Sequence, residues 1–203
     1  MSQSLHRRNW GLRYTVKASG CVSLAELHKK KGTFAVPDVL AFIEAIAIEL
    51  ERLHEDGKVY SWLEPERVLM LADGSIVLDQ TPIELPKDVE SLIDYPLPSI
   101  DYTSPEQWTQ GVCDWRSDIY ALGVIAYELL ADKLPFTADF VVQRMKMRID
   151  TLPACPTGSR KECPKELGTI VLRCLSRDPA ARFQTARDLL EALSEIRFLK
   201  RLQ

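Results

Sequence analysis

Residues 102 to 136 read YTSPEQWTQGVCDWRSDIYALGVIAYELLADKLPF, and this stretch decides the fold. It opens on Ser104-Pro105-Glu106, turns at Gly111, and passes through a polar knot of Asp114, Arg116, Ser117 and Asp118. An apolar run then extends from Ile119 to Leu130 and closes at Pro135-Phe136. The run predicts a helix starting at Ser117 or Asp118, apolar nearly all round and therefore buried. An aspartate at the mouth of such a helix must be hydrogen-bonded, because an unpaired buried charge costs several kcal/mol. Taken alone, the stretch describes a capped core helix and fits a helical bundle.

The order of the surrounding pieces adds a second reading. Ser104-Pro105-Glu106 resembles the A-P-E motif of protein kinases. Asp118 matches the aspartate that opens the central helix of the kinase large lobe and holds the catalytic-loop backbone. Downstream, Cys174-Leu175-Ser176-Arg177-Asp178-Pro179-Ala180-Ala181-Arg182-Phe183 resembles the segment whose arginine, here Arg182, pairs with the A-P-E glutamate, here Glu106. Three markers in this order, over residues 22 to 196, resemble bacterial serine/threonine kinases. The resemblance implies a mainly α, kinase C-lobe-like domain with a few short strands over residues 22–203. A strand and hinge-like segment at 10–21 and a disordered tail at 1–9 would precede it.

Composition sets outer bounds. The chain has 203 residues, 46% hydrophobic and 27% charged, enough for one core of ordinary size. A net charge of −3 gives no reason to expect nucleic acid or an anionic membrane as partner. The longest apolar runs contain charges or fall short of the ~20 residues that span a bilayer. Met1 to Gly20 has arginines but no apolar leader, so a cytoplasmic location is expected. Cys21, Cys113, Cys155, Cys163 and Cys174 are odd in number and form no C-x-x-C pair. Reduced thiols are expected, and no metal site.

Residues 1 to 25 hold Arg7, Arg8, Arg13 and Lys17 and no acid. Trp10 to Lys17 alternates, with Trp10, Leu12, Tyr14 and Val16 on one face, and predicts a half-buried strand. Ser23-Leu24-Ala25-Glu26 is a capping box that starts a helix running to about Lys31, ended by Gly32. Pro37 and Asp38 start a long helix with Val39, Leu40, Ile43, Ile46, Ala47, Leu50 and Leu53 toward the core, stopped by Gly57. His54, near its end, reads as a satisfied helix-end histidine. Lys58 to Leu78 predicts two short strands around a turn at Asp73-Gly74. After Gln80 comes an irregular, proline-spaced segment to Ile100. Helices are expected at Ala138–Ile149, Pro164–Leu175 and from Thr185 to about Leu199.

The segment from Leu53 to Leu69 runs in step with the kinase catalytic loop. Gly57, Pro65, Glu66 and Leu69 keep the frame. The reactive positions differ: Tyr60, Ser61 and Trp62 stand where the resemblance puts His, Arg and Asp. Glu64 stands for the loop lysine and Arg67 for the metal-binding asparagine. An indole accepts no proton, and a guanidinium repels Mg²⁺. Gln80 falls at the D-F-G aspartate; Asp79 takes that place only if the loop is one residue shorter, and otherwise is a turn or cap residue. No G-x-G-x-x-G precedes Ser23, so the small lobe is expected to be absent or reduced to one strand.

Phosphoryl transfer needs the proton acceptor, the metal ligands and the phosphate clamp together. Loss of the acceptor alone is worth about 10²–10⁴ in rate. The expectation is therefore a pseudokinase, not an enzyme, with no cofactor and nucleotide binding disfavoured. It is similar in design to kinase non-catalytic C-lobe (KIND) domains and acts as a scaffold for a protein partner. Candidate partner-binding residues are Trp10, Leu12, Tyr14, Val16 and Trp62, with Phe140, Val141 and Met145 as a second surface. The alternatives are a residual phosphotransferase, a half-kinase completed in trans, or a kinase substrate or inhibitor offering Ser91, Tyr95 or Ser99.

Overall fold

The computed structural model describes residues 20–81, 100–158, 160 and 162–201, with side chains to residue 196. The tail at 1–9, the alternating segment at 10–17, and Ser91, Tyr95 and Ser99 lie outside the described residues. The fold is mainly helical, with seven helices and a small antiparallel sheet among the described residues.

The described chain opens on a two-residue strand, β1 (Val22–Ser23), which runs straight into α1 (Leu24–Lys31). Ser23 Oγ accepts the Glu26 N–H at 3.2 Å, and Gly32 ends the helix at φ 69°. Helix α2 (Val36–Glu55) follows, with Pro37 in its first turn, where a missing N–H costs nothing. Its buried residues recur at helical spacing from Val36 to Leu53 and face the core. Gly57, at φ 70°, turns the chain away from the helix end.

A 3₁₀ turn, Pro65–Arg67, leads into the hairpin of β2 (Val68–Met70) and β3 (Ile76–Leu78). Strand order is β1-β2-β3, all antiparallel, with Leu69 opposite Val77. Alternation puts Val68, Ile76 and Leu78 against the core and leaves Leu69, Leu71 and Val77 half-exposed on the other face.

Helix α3 (Pro105–Thr109) precedes α4 (Trp115–Ala131), which is buried along almost its whole length. It starts at Trp115, capped by Asp114, and not at Ser117 or Asp118 as the apolar run suggests. Those two polar residues lie inside the first turn, both about 1% exposed, because each has a dedicated partner described below. Helices α5 (Val141–Asp150), α6 (Lys165–Cys174) and α7 (Ala186–Arg201) complete the domain. Helix α5 begins three residues later than its sequence suggests, with Phe140 at its cap.

Helix α2 packs against both α4 and α7, and α6 packs against α4. The last contact is tight at Gly123, where an added Cβ would stand 2.6 Å from Cys174 Cβ. The core thus sits between α2, α4, α6 and α7, and the hairpin and α3 lie at its edge. No described helix is long and apolar enough to cross a membrane.

Candidate catalytic-loop site

Asp118 organises the loop that follows α2. Its Oδ2 accepts the Tyr60 N–H at 2.8 Å, and its Oδ1 accepts the Ser61 N–H at 2.7 Å. His54 Nε2 lies 2.9 Å from Oδ2, so the last turn of α2 closes the same carboxylate. A buried carboxylate requires such company. Ser61 sits at φ 72°, a left-handed conformation that a serine adopts only when its surroundings fix it. The two N–H bonds to Asp118 do that.

The next layer fills the space where chemistry would occur. Arg67 Nη2 donates to the Asp79 carbonyl at 2.7 Å and the Thr81 carbonyl at 2.6 Å, and its Nε donates to Tyr60 Oη at 3.0 Å. The Tyr60 hydroxyl in turn donates to the Asp79 carbonyl. The guanidinium also lies 5.5 Å from the Tyr60 ring centroid. Burial pushes the Tyr60 phenol well above its usual range, and the Arg67 charge opposes only part of that push. The Asp79 carboxylate turns back on its own chain, accepting the Thr81 N–H at 2.9 Å. Gln80 and Glu64 are half-buried. Trp62 is 39% exposed, whereas Leu63 beside it is buried in the core.

A second network joins this loop to the Ser-Pro-Glu segment. Glu106 accepts Arg182 Nη1 and Nη2, each at 2.7 Å, and the Ser117 hydroxyl at 2.8 Å. Burial disfavours the Glu106 carboxylate, but the hydrogen bonds and charge of Arg182 outweigh it and hold the carboxyl below its usual range. Ser104 and Pro105 are buried at the start of α3, where Gln107 Oε1 accepts the Ser104 N–H at 2.8 Å. Gln107 Nε2 then donates to the Ser61 carbonyl at 2.9 Å, tying α3 to the loop. The Ser104-x-x-Gln107 capping box signals Gln107 in the sequence, although nothing there shows that its amide also reaches Ser61. Cys113 lies near the same knot, and burial, aided by the Asp118 charge, raises its thiol to about 11.

The α5 candidates are spread out: Phe140 is 68% and Val141 44% exposed, whereas Met145 is half-buried. Trp10, Leu12, Tyr14 and Val16 lie outside the described residues.

The protein kinase domain family matches residues 14–193. The chain belongs to the protein kinase family. A probable serine/threonine-protein kinase of Clostridium acetobutylicum is 28% identical over 178 residues, covering 86% of this chain and 27% of the relative. A serine/threonine-protein kinase of Corynebacterium efficiens is 33% identical over 184 residues, covering 86% of this chain and 34% of the relative. The serine/threonine-protein kinase PknL of Mycobacterium tuberculosis is 29% identical over 178 residues, covering 85% and 45%. The chain therefore spans less than half the length of these relatives.

These findings overturn the expectation that the chain is not an enzyme. The match runs through nearly the whole chain to proteins named as kinases, so the kinase-family chain is placed with enzymes. Replaced side chains in one loop speak to that loop and do not decide the class of the whole domain.

Proposed function

We propose that this chain gives its kinase-family protein a regulatory, protein-binding module built on the large-lobe frame. The observation that carries this reading is the occupation of the loop by Arg67. Its guanidinium holds two carbonyls, of Asp79 and Thr81, beside the Tyr60 hydroxyl, so a fixed cation stands among the oxygens of this loop. The support is electrostatic, since a divalent cation brought to the same place meets a like charge. Trp62 offers only an indole N–H, which donates and cannot take a proton. The frame around them is fully engaged, through Asp118 and Glu106. That combination is similar in design to KIND domains, which bind protein partners.

Phosphoryl transfer is the second reading, favoured by the names of the relatives. Thermal unfolding with and without Mg-ATP separates the two, because a native-state ligand at a hundred times its Kd adds about 2.7 kcal/mol of stability. The module reading expects an unmoved melting point and retained capture of a protein partner by an Arg67→Lys variant. A nucleotide-dependent rise, together with phosphate incorporated into a protein substrate, would overturn it.

A further inference from the structure

A groove of about 650 Å³ runs between the last turns of α2 and the β2–β3 hairpin, a size that suits a bound group. Its floor is an apolar stripe. Leu69 and Leu71 lie two residues apart along one strand, and Val77 stands opposite Leu69 across the hairpin. The ladder continues past β2, since the Leu71 N–H donates to the Ser75 carbonyl at 2.9 Å. All three side chains are half-exposed, on the face turned away from the core residue Val68. Two features make this floor fit an extended chain. Side chains on one face of a strand repeat every ~7 Å, and Leu69 and Leu71 present that repeat. Among the described residues β3 has a strand partner on one side only, so it forms a sheet edge where a further strand can add.

The rim sets the charge of the occupant. Glu49 pairs with Arg52 at 3.0 Å, and Asp56 with Lys58 at 2.9 Å. Arg187 of α7 reaches Glu55 at 3.2 Å and also holds Glu51 beside it. The Asp79 carboxylate accepts the Thr81 N–H and has no ion pair among the described residues. Five carboxylates therefore meet three cations, and the rim carries a net charge of −2. Arg52 and Arg187 are exposed, so their pairs are weak and an incoming cation can compete for the carboxylates. Apolar below and acidic at the sides, the groove fits a chain in which apolar and basic residues alternate. Long Lys and Arg stems reach from such a chain to the rim.

We propose that this groove receives an extended segment of a partner protein in which apolar residues alternate with Lys or Arg. The apolar side chains lie on Leu69, Leu71 and Val77, and the cations meet the acidic rim. The inference goes beyond the module reading and is independent of it, because those three residues take no part in the Arg67 clamp. Apolar burial supplies the main attraction. The rim charge selects basic over acidic segments and makes binding sensitive to salt.

Fluorescence polarisation of a labelled seven-residue peptide alternating lysine and leucine, titrated with the full chain, tests this. It should bind at least about tenfold more tightly than a glutamate–leucine or a lysine–serine peptide of equal length. Raising the salt concentration should weaken it. Leu71→Ser with Val77→Ser strips the floor and should lower the affinity about tenfold or more. Asp56→Lys, at an exposed position, brings the rim to zero net charge. It should weaken the lysine–leucine peptide while leaving the melting point in place. Equal binding of all three peptides, or none of the lysine–leucine peptide, overturns the proposal. So does an affinity left unchanged by either folded variant, which would seat the peptide elsewhere. An empty groove leaves the module reading standing, since that reading is judged on Mg-ATP and on partner capture.

Discussion

Arg182 and Glu106 face each other across 76 residues of sequence as a two-pronged pair, Nη1 to Oε1 and Nη2 to Oε2, each at 2.7 Å. The remaining guanidinium hydrogens are also spent. Nε donates to the Ser176 carbonyl, Nη1 to that of Arg116, and Nη2 to that of Arg177. An arginine has five N–H donors, and here all five are used by a side chain about 1% exposed. The guanidinium therefore joins α3, the start of α4 and the loop before α7 at one point.

Lysine cannot replace it. Arg182→Lys keeps the charge but offers three donors to five acceptor contacts, and each buried acceptor left open costs roughly 1–3 kcal/mol. Glu106→Ala leaves the guanidinium buried without its counter-charge and should lower stability by about 3–5 kcal/mol. Chemical denaturation of both variants checks this, and an unchanged midpoint for either one contradicts it. The pH dependence has a definite sign. The folded Glu106 carboxyl sits below its ordinary value of 4.5, so its contribution is present above that value and is lost as pH falls through the folded-state pKa.

Asp118→Asn is the matching test for the catalytic loop. The carboxylate presents one oxygen to each of two backbone N–H groups, at Tyr60 and Ser61. An amide must turn its NH₂ toward one of them, so a donor meets a donor. The loss should be about 1–3 kcal/mol. Release of Ser61 from its left-handed conformation should show as faster exchange at the Tyr60 and Ser61 amides, with α6 unaffected. Unchanged exchange at both amides would mean that Asp118 does not hold the loop.

The helical frame was legible because its signals are periodic. Val39, Ile43, Ile46 and Leu50 recur at the spacing of one helix face, and all are buried in α2. The start of α4 was not legible, since Ser117 and Asp118 look like the cap, whereas Asp114 caps the helix one turn earlier. The hold of Asp118 on the Tyr60 and Ser61 backbone was implied by the resemblance, but the partner of Ser117, Glu106, lies across the turn at Gly111 and no local pattern announces it. The role of Gln107 in joining α3 to the loop was hidden for the same reason. Local patterns announce local structure, whereas a buried polar residue is explained only by the contact that satisfies it. The class of the whole chain was missed in another way, by weighing six substituted positions above a resemblance that covers most of the domain.

Glu128 should behave opposite to Glu106. Burial, opposed in part by a 2.7 Å hydrogen bond from the Tyr102 hydroxyl, raises its carboxyl above the ordinary 4.5, and the charges of Glu66 and Asp101 add to the rise. A raised carboxylate pKa favours folding at low pH, and that advantage is lost as pH rises through the folded value. Glu128→Gln keeps an oxygen for Tyr102 and removes the charge. It should raise the melting point at pH 7 and change it little at pH 4. A drop at pH 7 would show that the charge stabilises the fold after all.

Gly123→Ala sets two effects against each other. Alanine favours a helix interior by about 1 kcal/mol over glycine. The new methyl, however, would stand 2.6 Å from Cys174 Cβ and 3.3 Å from Leu175 Cδ2, so α4 and α6 must move apart. Overpacking of this kind costs about 1–3 kcal/mol. The clash should win and the variant should be less stable in denaturant. Cys174→Ala in the same background should not rescue it, because the colliding Cβ remains.

Arg67 and Tyr60 should be energetically coupled. Arg67 donates to the Tyr60 hydroxyl, and both donate to the Asp79 carbonyl, so removing either leaves the other with an incomplete set of partners. Arg67→Met withdraws three hydrogen bonds, to Tyr60, Asp79 and Thr81, from a half-buried position. Hydrogen bonds from a charged group contribute about 1.5–3 kcal/mol each when buried, less here because the site is partly wet. Tyr60→Phe removes one donor and one acceptor but keeps the ring under the guanidinium. A double-mutant cycle on these two positions should therefore return a coupling of about 0.5–3 kcal/mol, the range for residues in one hydrogen-bonded network. Additive losses would show that Arg67 and Tyr60 hold Asp79 independently, and the loop would then lack the single clamp described here.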